Sequence, residues 1–420
     1  MQKVRIGIIG SGASVEWAIL PALLGPDVLS PPDSGAWWQR RPAPSGDIRY
    51  QAPAFPVVTA LGELPAQIET ESETASETQA FSRDEKSGKA AKTSARLEIL
   101  GRMARDAALY SSPHALLREM PLDALLLAGS DAPIDCAALA DLVAGAPGAL
   151  QNIAPPRWIW IDGAPARSLA GLGAFARASS GGPCLWIAAP LRRAAAHRAA
   201  RRLLERDGIG EVTAIQARFP FALDAARFDA AYAAFDLLLS LVPGGSGAPR
   251  EIFASRHPDG AASVLLQLAG GASVSALFGA ADMWNAPLPR LEICGTQGRF
   301  IVCESGRRMW HHVPREGARG WEPPGLAAHV SSANLSGYAE DLKAFLEVCV
   351  HNPAPFNAER ALDGAARALG ALEGAFKSLE SGALQAIEAR GAAFFDGGDC
   401  SVIPHAPVAP PPRNLTLELG

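Results

Sequence analysis

Near its start the chain passes from a run rich in β-branched residues, Lys3-Val-Arg-Ile-Gly-Ile-Ile-Gly10, through Ser11-Gly12-Ala13-Ser14 into a segment with apolar residues at helical spacing. A strand that breaks at two closely spaced glycines and resumes as a helix is the opening unit of a dinucleotide-binding domain. Gly10 permits the tight turn, and Gly12 lets the backbone approach a pyrophosphate held by the free N–H groups at the helix N-terminus. Ser11, Ala13 and Ser14 complete that cradle. The third glycine of the usual fingerprint, which lets helix and strand pack closely, is here Val15.

The rest of the chain extends this pattern. Strands are expected at 55–61, 122–128 and 158–161, with helices at 95–107 and 135–144 between them. Alternation of this kind argues for a doubly wound parallel sheet. Residues 25–50 show no period and read as an extended loop. Residues 68–95 hold almost no apolar side chains, so they are expected to form a disordered insertion that cannot offset the entropy of ordering. From about residue 210 short alternating strands take over, at 211–219, 263–268, 273–278, 290–294 and 299–303, with Gly270-Gly271 and Gly295-Thr-Gln-Gly298 as hairpin connectors. Helices are expected at 225–242, 335–351 and 358–381. The fold class is therefore α/β, with an N-terminal Rossmann-like parallel sheet over 1–165. A C-terminal α+β domain with an open, mainly antiparallel sheet spans 166–395, followed by a Pro-rich tail over 396–420.

At 420 residues the chain is long enough for two cores. A formal net charge of -5 gives no reason to expect nucleic acid or an anionic membrane as partner, so a small molecule is the expected ligand. The 6 cysteines are scattered without metal-ligand spacing and read as reduced thiols. No basic-then-apolar leader opens the sequence and no apolar run reaches the length of a membrane span, so the expected location is cytoplasmic.

Five segments in order carry a resemblance to a known family: Ile6-Gly-Ile-Ile-Gly-Ser-Gly12 with Leu20-Pro-Ala-Leu23, Pro121-Leu-Asp-Ala-Leu-Leu-Leu-Ala128, Gly208-Ile-Gly-Glu-Val212, Leu291-Glu-Ile-Cys-Gly-Thr-Gln-Gly298 and Tyr338-Ala-Glu-Asp-Leu-Lys-Ala-Phe345. Together they resemble the glucose-fructose oxidoreductase, inositol dehydrogenase and rhizopine-catabolism protein family (Gfo/Idh/MocA). The resemblance implies NAD or NADP as cofactor, hydride transfer on a sugar, polyol or related hydroxyl compound, and a homo-oligomer assembled through the C-terminal sheet. It also implies a Lys in a Glu-Lys-Pro turn and a His in an Asp-x-x-x-His-x-x-Asp helix, which manage the hydroxyl proton. At the matching positions this chain has Asp162-Gly163-Ala164-Pro165 and Asp229-Ala-Ala-Tyr232-Ala233-Ala-Phe-Asp236. Ala164 stands for the lysine and Ala233 for the histidine, and a methyl group neither donates nor accepts a proton. The resemblance thus describes a divergent member with a weakened site, or a catalytically silent one serving as a ligand-binding or protein-interaction scaffold.

The candidate catalytic residues that remain are Asp229, Tyr232 and Asp236. The two aspartates are seven residues apart, two helical turns, and face one side of a helix. They serve either as replacement acid and base or as a cap and a hydrogen-bonded surface residue. Tyr232 offers a phenol as acid, or is a half-buried packing residue. Arg192 and Arg193 are candidates for gripping a carboxylate or phosphate of the substrate, or for surface ion pairs, since Arg198, Arg201 and Arg202 follow on the same helix. The cofactor set is completed by Gly129 and Ser130 after the 122–128 strand, where Asp131 brings a negative charge toward the pyrophosphate. Glu63 reaches the ribose position only if the register shifts by one. His311 and His312 point to opposite faces of a strand, which suits a structural role, and His197 is expected to be solvated.

Overall fold

The computed structural model describes residues 4–9, 56–62, 108–109, 122–128, 156–178, 184–206, 208–242, 247–279, 290–303, 308–314, 316–321, 333–351 and 358–387, with isolated positions at 19, 23 and 116. The expected loop at 25–50, the insertion at 68–95, the helices at 95–107 and 135–144, and the tail lie outside the described residues. So do Val15, Glu63 and Asp131.

The first sheet holds β1 (Val4–Ile9), β2 (Pro56–Gly62), β3 (Ala108–Leu109), β4 (Ala124–Leu127), β5 (Trp158–Ile161) and β6 (Cys184–Ile187) in the order β3-β2-β1-β4-β5-β6. Every pairing is parallel. The strands β4 and β5 read Ala-Leu-Leu-Leu and Trp-Ile-Trp-Ile and are buried throughout, as strands covered on both faces must be. Their alternate side chains separate into two layers. Leu125, Leu127, Ile159 and Ile161 enter the main core, while Ala124, Leu126, Trp158 and Trp160 enter a second cluster on the opposite face. The strand order reverses between β1 and β4, so a crevice opens at their carboxyl ends.

The sheet continues past residue 165, because Cys184-Leu-Trp-Ile pairs with β5 as its sixth strand. The sequence does not announce this strand. The helix α1 (Leu169–Ala178) precedes it in the chain, and α2 (Pro190–Arg193) and α3 (Ala195–Leu204) follow it.

The second sheet has nine strands: β7 (Val212–Phe219), β8 (Pro249–Arg256), β9 (Ala262–Leu268), β10 (Ser273–Phe278), β11 (Arg290–Gly295), β12 (Gly298–Cys303), β13 (Arg308–Val313), β14 (Gly317–Trp321) and β15 (Gln385–Ala386). Their order is β14-β13-β12-β11-β7-β10-β9-β8-β15, antiparallel except for the parallel β7–β10 pair at the centre. The anticipated hairpins form: β9 turns into β10 through Gly271 at φ 87, and β11 into β12 across the Gly295–Gly298 pair. The inner face packs on α4 (Phe228–Ser240) and α6 (Ala358–Ser381), and a stack of Phe219 on Phe278 at 5.1 Å marks its centre.

The helix α5 (Ala333–His351) leaves this sheet and covers the first one: Leu342, Phe345 and Leu346 complete the cluster around Trp158, Trp160 and Trp186. No helix among the described residues is long and apolar enough to cross a membrane.

Candidate active site

The strand β5 ends in Asp162-Gly163-Ala164-Pro165. Gly163 has φ +88, and a Cβ there would lie 2.9 Å from Asp229 Oδ1, so the turn depends on glycine both for its backbone and for its clearance. This turn presses Ala164 against α4, where its backbone N–H donates to Asp229 Oδ1 at 3.0 Å. Asp229 sits in the first turn of α4, where a carboxylate complements the helix dipole. The helix is led in by a 3-10 turn, Ala225–Arg227, capped by Asp224, whose carboxylate accepts the Arg227 N–H. Arg167, two residues past Pro165, places Nη2 3.3 Å from Asp229 Oδ2 and lies over the Phe228 ring at 4.5 Å. The Asp229 side chain remains 40% exposed.

Two turns further along α4, Asp236 is only 10% exposed and pairs with Arg192 of α2. Burial pushes its carboxyl above the ordinary range, against the pull of Arg192. Tyr232 lies between the two aspartates, 2% exposed instead of half-buried, and burial holds its phenol well above its ordinary value, with the Asp236 charge adding to the effect. It is thereby kept protonated.

A third carboxylate completes the arrangement. Asp341 of α5 is 1% exposed and accepts the indole N–H groups of Trp160 at 2.8 Å and Trp186 at 3.0 Å on one oxygen. Its other oxygen faces Arg193 Nε at 3.4 Å and the Ala189 backbone N–H at 3.4 Å. Burial raises its pKa, and the two indole bonds oppose that rise. One turn away, the Tyr338 hydroxyl donates to Asp162 Oδ1 at 2.7 Å. The same element that covers the first sheet thus ties down both the Arg193 side of the site and the turn after β5.

Between α2, α3, α4 and α6 lies a cavity of about 630 Å³. Trp186, Ala188 and Ala189 form its apolar wall, and Tyr232, Asp236 and Asp341 line its inner side. Arg192, Arg193, Arg198, Arg201 and Arg202 line it as well. The sequence-derived set is therefore divided. Tyr232, Asp236, Arg192 and Arg193 gather around this cavity, whereas Asp229 stands with Arg167 at the turn after β5 and is not among the described residues that line the cavity.

Of the two roles expected of Arg192 and Arg193, ion pairing is seen among the described residues, with Asp236 and Asp341 as partners. One expectation changes. His197 is buried at 3% exposure, its Nδ1 2.7 Å from the Leu191 carbonyl, and burial lowers its pKa. It shares the spacing of Ala196, Ala200 and Leu204 on the inner face of α3, a pattern visible in the sequence but masked by the surrounding arginines. The structural role expected of His311 agrees with its ring lying 4.6 Å from Phe300 and its Nε2 2.9 Å from the Gly208 carbonyl. Arg167 and Asp341 were not singled out as site residues. A basic residue just past the proline of the turn was the available signal for Arg167, and none pointed to the two indole partners of Asp341.

The cofactor candidates Gly10, Ser11, Gly12, Ala13, Ser14, Gly129 and Ser130 lie outside the described residues. The strands that lead to them are described: β1 ends at Ile9 and pairs with Leu127 of β4, beside the crevice where strand order reverses. In doubly wound folds such a crevice is the usual place for a nucleotide. Among the described residues no group of three or more His, Cys, Asp or Glu side chains is placed to hold a metal ion.

No protein-family model matches the chain, and no curated protein matches it in sequence. Solved structures do match in fold. An oxidoreductase from Agrobacterium radiobacter in complex with NAD+, L-tartaric acid and magnesium is similar at a TM-score of 0.63 and 15% identity, covering 92% of this chain and 99% of its own. A levoglucosan dehydrogenase in complex with NADH and levoglucosan gives 0.60 and 15%, covering 92% and 100%. A putative myo-inositol dehydrogenase from Sinorhizobium meliloti 1021 gives 0.58 and 16%, covering 91% and 99%. At these identities the likeness is one of fold: the chain has the two-domain α/β fold of NAD-binding oxidoreductases across nearly its whole length.

Proposed function

We propose that the chain is a divergent Gfo/Idh/MocA-type oxidoreductase that binds NAD or NADP in the crevice at the ends of β1 and β4. Its substrate is a sugar, polyol or related hydroxyl compound beside α4, handled without the family's lysine and histidine. The observation that carries this reading is the Ala164 N–H bond to Asp229 at 3.0 Å. It brings face to face the turn and the helix on which the family places its proton-handling pair, although alanine occupies both positions. When bound, the nicotinamide supplies the hydride acceptor or donor.

The remaining groups divide the work. Gly10 to Ser14, with Gly129 and Ser130, would hold the pyrophosphate through backbone N–H groups. Asp229, oriented by Ala164 and balanced by Arg167, accepts a hydrogen bond from a substrate hydroxyl. Asp236 lines the cavity with a carboxyl whose affinity for a proton is raised by burial, which moves it toward the range where a carboxylate works as a base near neutral pH. Tyr232, held protonated, donates a hydrogen bond and does not serve as a base. Arg192 sets the charge of Asp236 and orients it.

A second reading, a silent scaffold that binds ligand without turnover, is favoured by a different observation: both α4 aspartates already have an arginine partner. Titration of the purified chain with NAD(H) and NADP(H), followed by assay for nicotinamide reduction on a panel of sugars and polyols, separates the two. Cofactor binding below about 1 mM that Gly12→Asp abolishes is expected. No binding at that concentration overturns the dinucleotide proposal. Binding without turnover, in a chain where Ala164→Lys with Ala233→His introduces turnover, establishes the scaffold reading instead.

A further inference from the structure

The cavity beside α4 carries more positive charge than its surroundings neutralise. Five guanidinium groups line it, against the carboxylates of Asp236, Asp341 and Glu205. Each of these carboxylates already has an arginine: Arg192 on Asp236, Arg193 on Asp341, and Arg201 on Glu205 at 3.5 Å. Arg198 turns its Nη1 to Glu340 at 2.6 Å. Two donors are left over in the interior, because the Nε atoms of Arg192 and Arg198 are buried with no hydrogen-bond partner among the described residues. Arg202, at the rim, makes no ion pair among the described residues.

Such a surplus has a chemical meaning. A guanidinium presents a planar fork of N–H donors that matches the paired oxygens of a carboxylate or phosphate. Those two Nε atoms are closed off from solvent, so what a ligand meets is the remaining guanidinium donors of the arginines that line the cavity, of which Arg202 has no carboxylate partner among the described residues. On α3, Arg198, Arg201 and Arg202 stand three and four residues apart and share a face. That face looks onto the cavity shared with Trp186 and Tyr232, which separates it from an ordinary solvated stripe. The apolar wall of Trp186, Ala188 and Ala189 receives a carbon skeleton, and a volume near 630 Å³ lies in the range of small-molecule sites. A neutral sugar would leave the extra guanidinium donors unmatched.

We propose that this cavity binds a small organic dianion bearing hydroxyl groups, its charge carried by one phosphate or by two carboxylates, with Arg198 and Arg202 as its principal anchors. Identifying that dianion with the substrate rests on the oxidoreductase reading above, whereas the binding itself does not.

The test uses the full chain without any nicotinamide. Calorimetric titration with a hexose 6-phosphate, a six-carbon hydroxy dicarboxylate and the corresponding free hexose, at fixed ionic strength, compares the two charge carriers with a neutral skeleton. At least one dianion is expected to bind about tenfold or more tightly than the hexose, and the tighter of the two identifies the charge carrier. Arg198→Gln and Arg202→Gln are each expected to weaken that binding about tenfold. Arg299→Gln, which removes an exposed charge that does not line the cavity, is expected to leave it unchanged. Circular dichroism melts of the variants confirm that each is folded. Absence of dianion binding at about 10 mM overturns the proposal, as does equal binding of the hexose or equal loss in Arg299→Gln and Arg202→Gln. If nicotinamide binding fails while this binding holds, only the oxidoreductase reading falls. If nicotinamide binds and the dianions do not, only the anion site falls.

Discussion

Asp229 and Asp236 lie on one helix, two turns apart, and each meets one arginine, yet they inhabit different media. Asp229 faces the turn after β5 with 40% of its side chain in solvent, and its partner Arg167 is almost as open. Asp236 is 10% exposed, and Asp341 across the cavity 1%. The comparison teaches that identical residues with identical partners acquire their chemistry from depth. An exposed pair is screened and weakly coupled to folding, while a buried one is bound into the stability of the molecule and holds a proton more tightly than an exposed carboxyl.

The sharpest way to break this comparison is Asp341→Ala. It strips two buried indole N–H groups of their acceptor and Arg193 of its partner, and an expected loss of about 3–5 kcal/mol follows from stranding such groups. Urea unfolding measures it, and a loss no larger than that of Asp229→Ala refutes the distinction. Gly163→Ala comes next. The residue must hold φ +88 with a Cβ 2.9 Å from Asp229 Oδ1, and about 1–3 kcal/mol is expected in the same unfolding experiment, together with displacement of Asp229 from the Ala164 N–H.

Asp236→Asn sharpens the comparison through pH. The folded-state pKa of Asp236 is raised, so the folded protein binds its proton more tightly than the unfolded chain does. Its unfavourable contribution is absent below the unfolded value near about pH 4 and grows as pH rises toward the raised folded value. The stability of the wild type relative to Asp236→Asn should therefore fall as pH increases across that interval, and parallel curves from pH 4 to pH 7 would contradict the assignment. The smallest stability effect belongs to Asp229→Ala, below about 1 kcal/mol for a half-exposed ion pair, even though ligand binding is expected to weaken.

Much of the architecture is legible in the sequence because its signals are local. Apolar runs such as Leu125-Leu-Leu127, the Gly295–Gly298 connector and the long period of α6 each report on neighbours a few residues away. The strand β6 escapes because four residues before Ala-Ala-Pro carry too little pattern, and β14 because its five residues include Gly317 and Gly320. In β8, polar Arg250 and Glu251 interrupt the apolar alternation. At the site the same boundary holds. Asp229, Tyr232, Asp236, Arg192 and Arg193 are candidates that the sequence can name, but which of them share a cavity is decided by how α2, α4 and α6 pack. Arg167 and Asp341 gain their roles from partners 62 and 181 residues away, and no local pattern records such distances.

The placement of α5 has a consequence for how the protein is made. The first sheet finishes at Ile187, but the aromatic layer on one of its faces stays open until Leu342, Phe345 and Leu346 arrive and Asp341 takes up the two indoles. At ordinary rates of translation, about 5–20 residues per second, roughly 160 further residues keep that face waiting for about 8–30 seconds. During that interval the layer of Trp158, Trp160 and Trp186 lacks the side chains that α5 adds to it, so a chain cut short before α5 leaves two indole N–H groups without the carboxylate that accepts them.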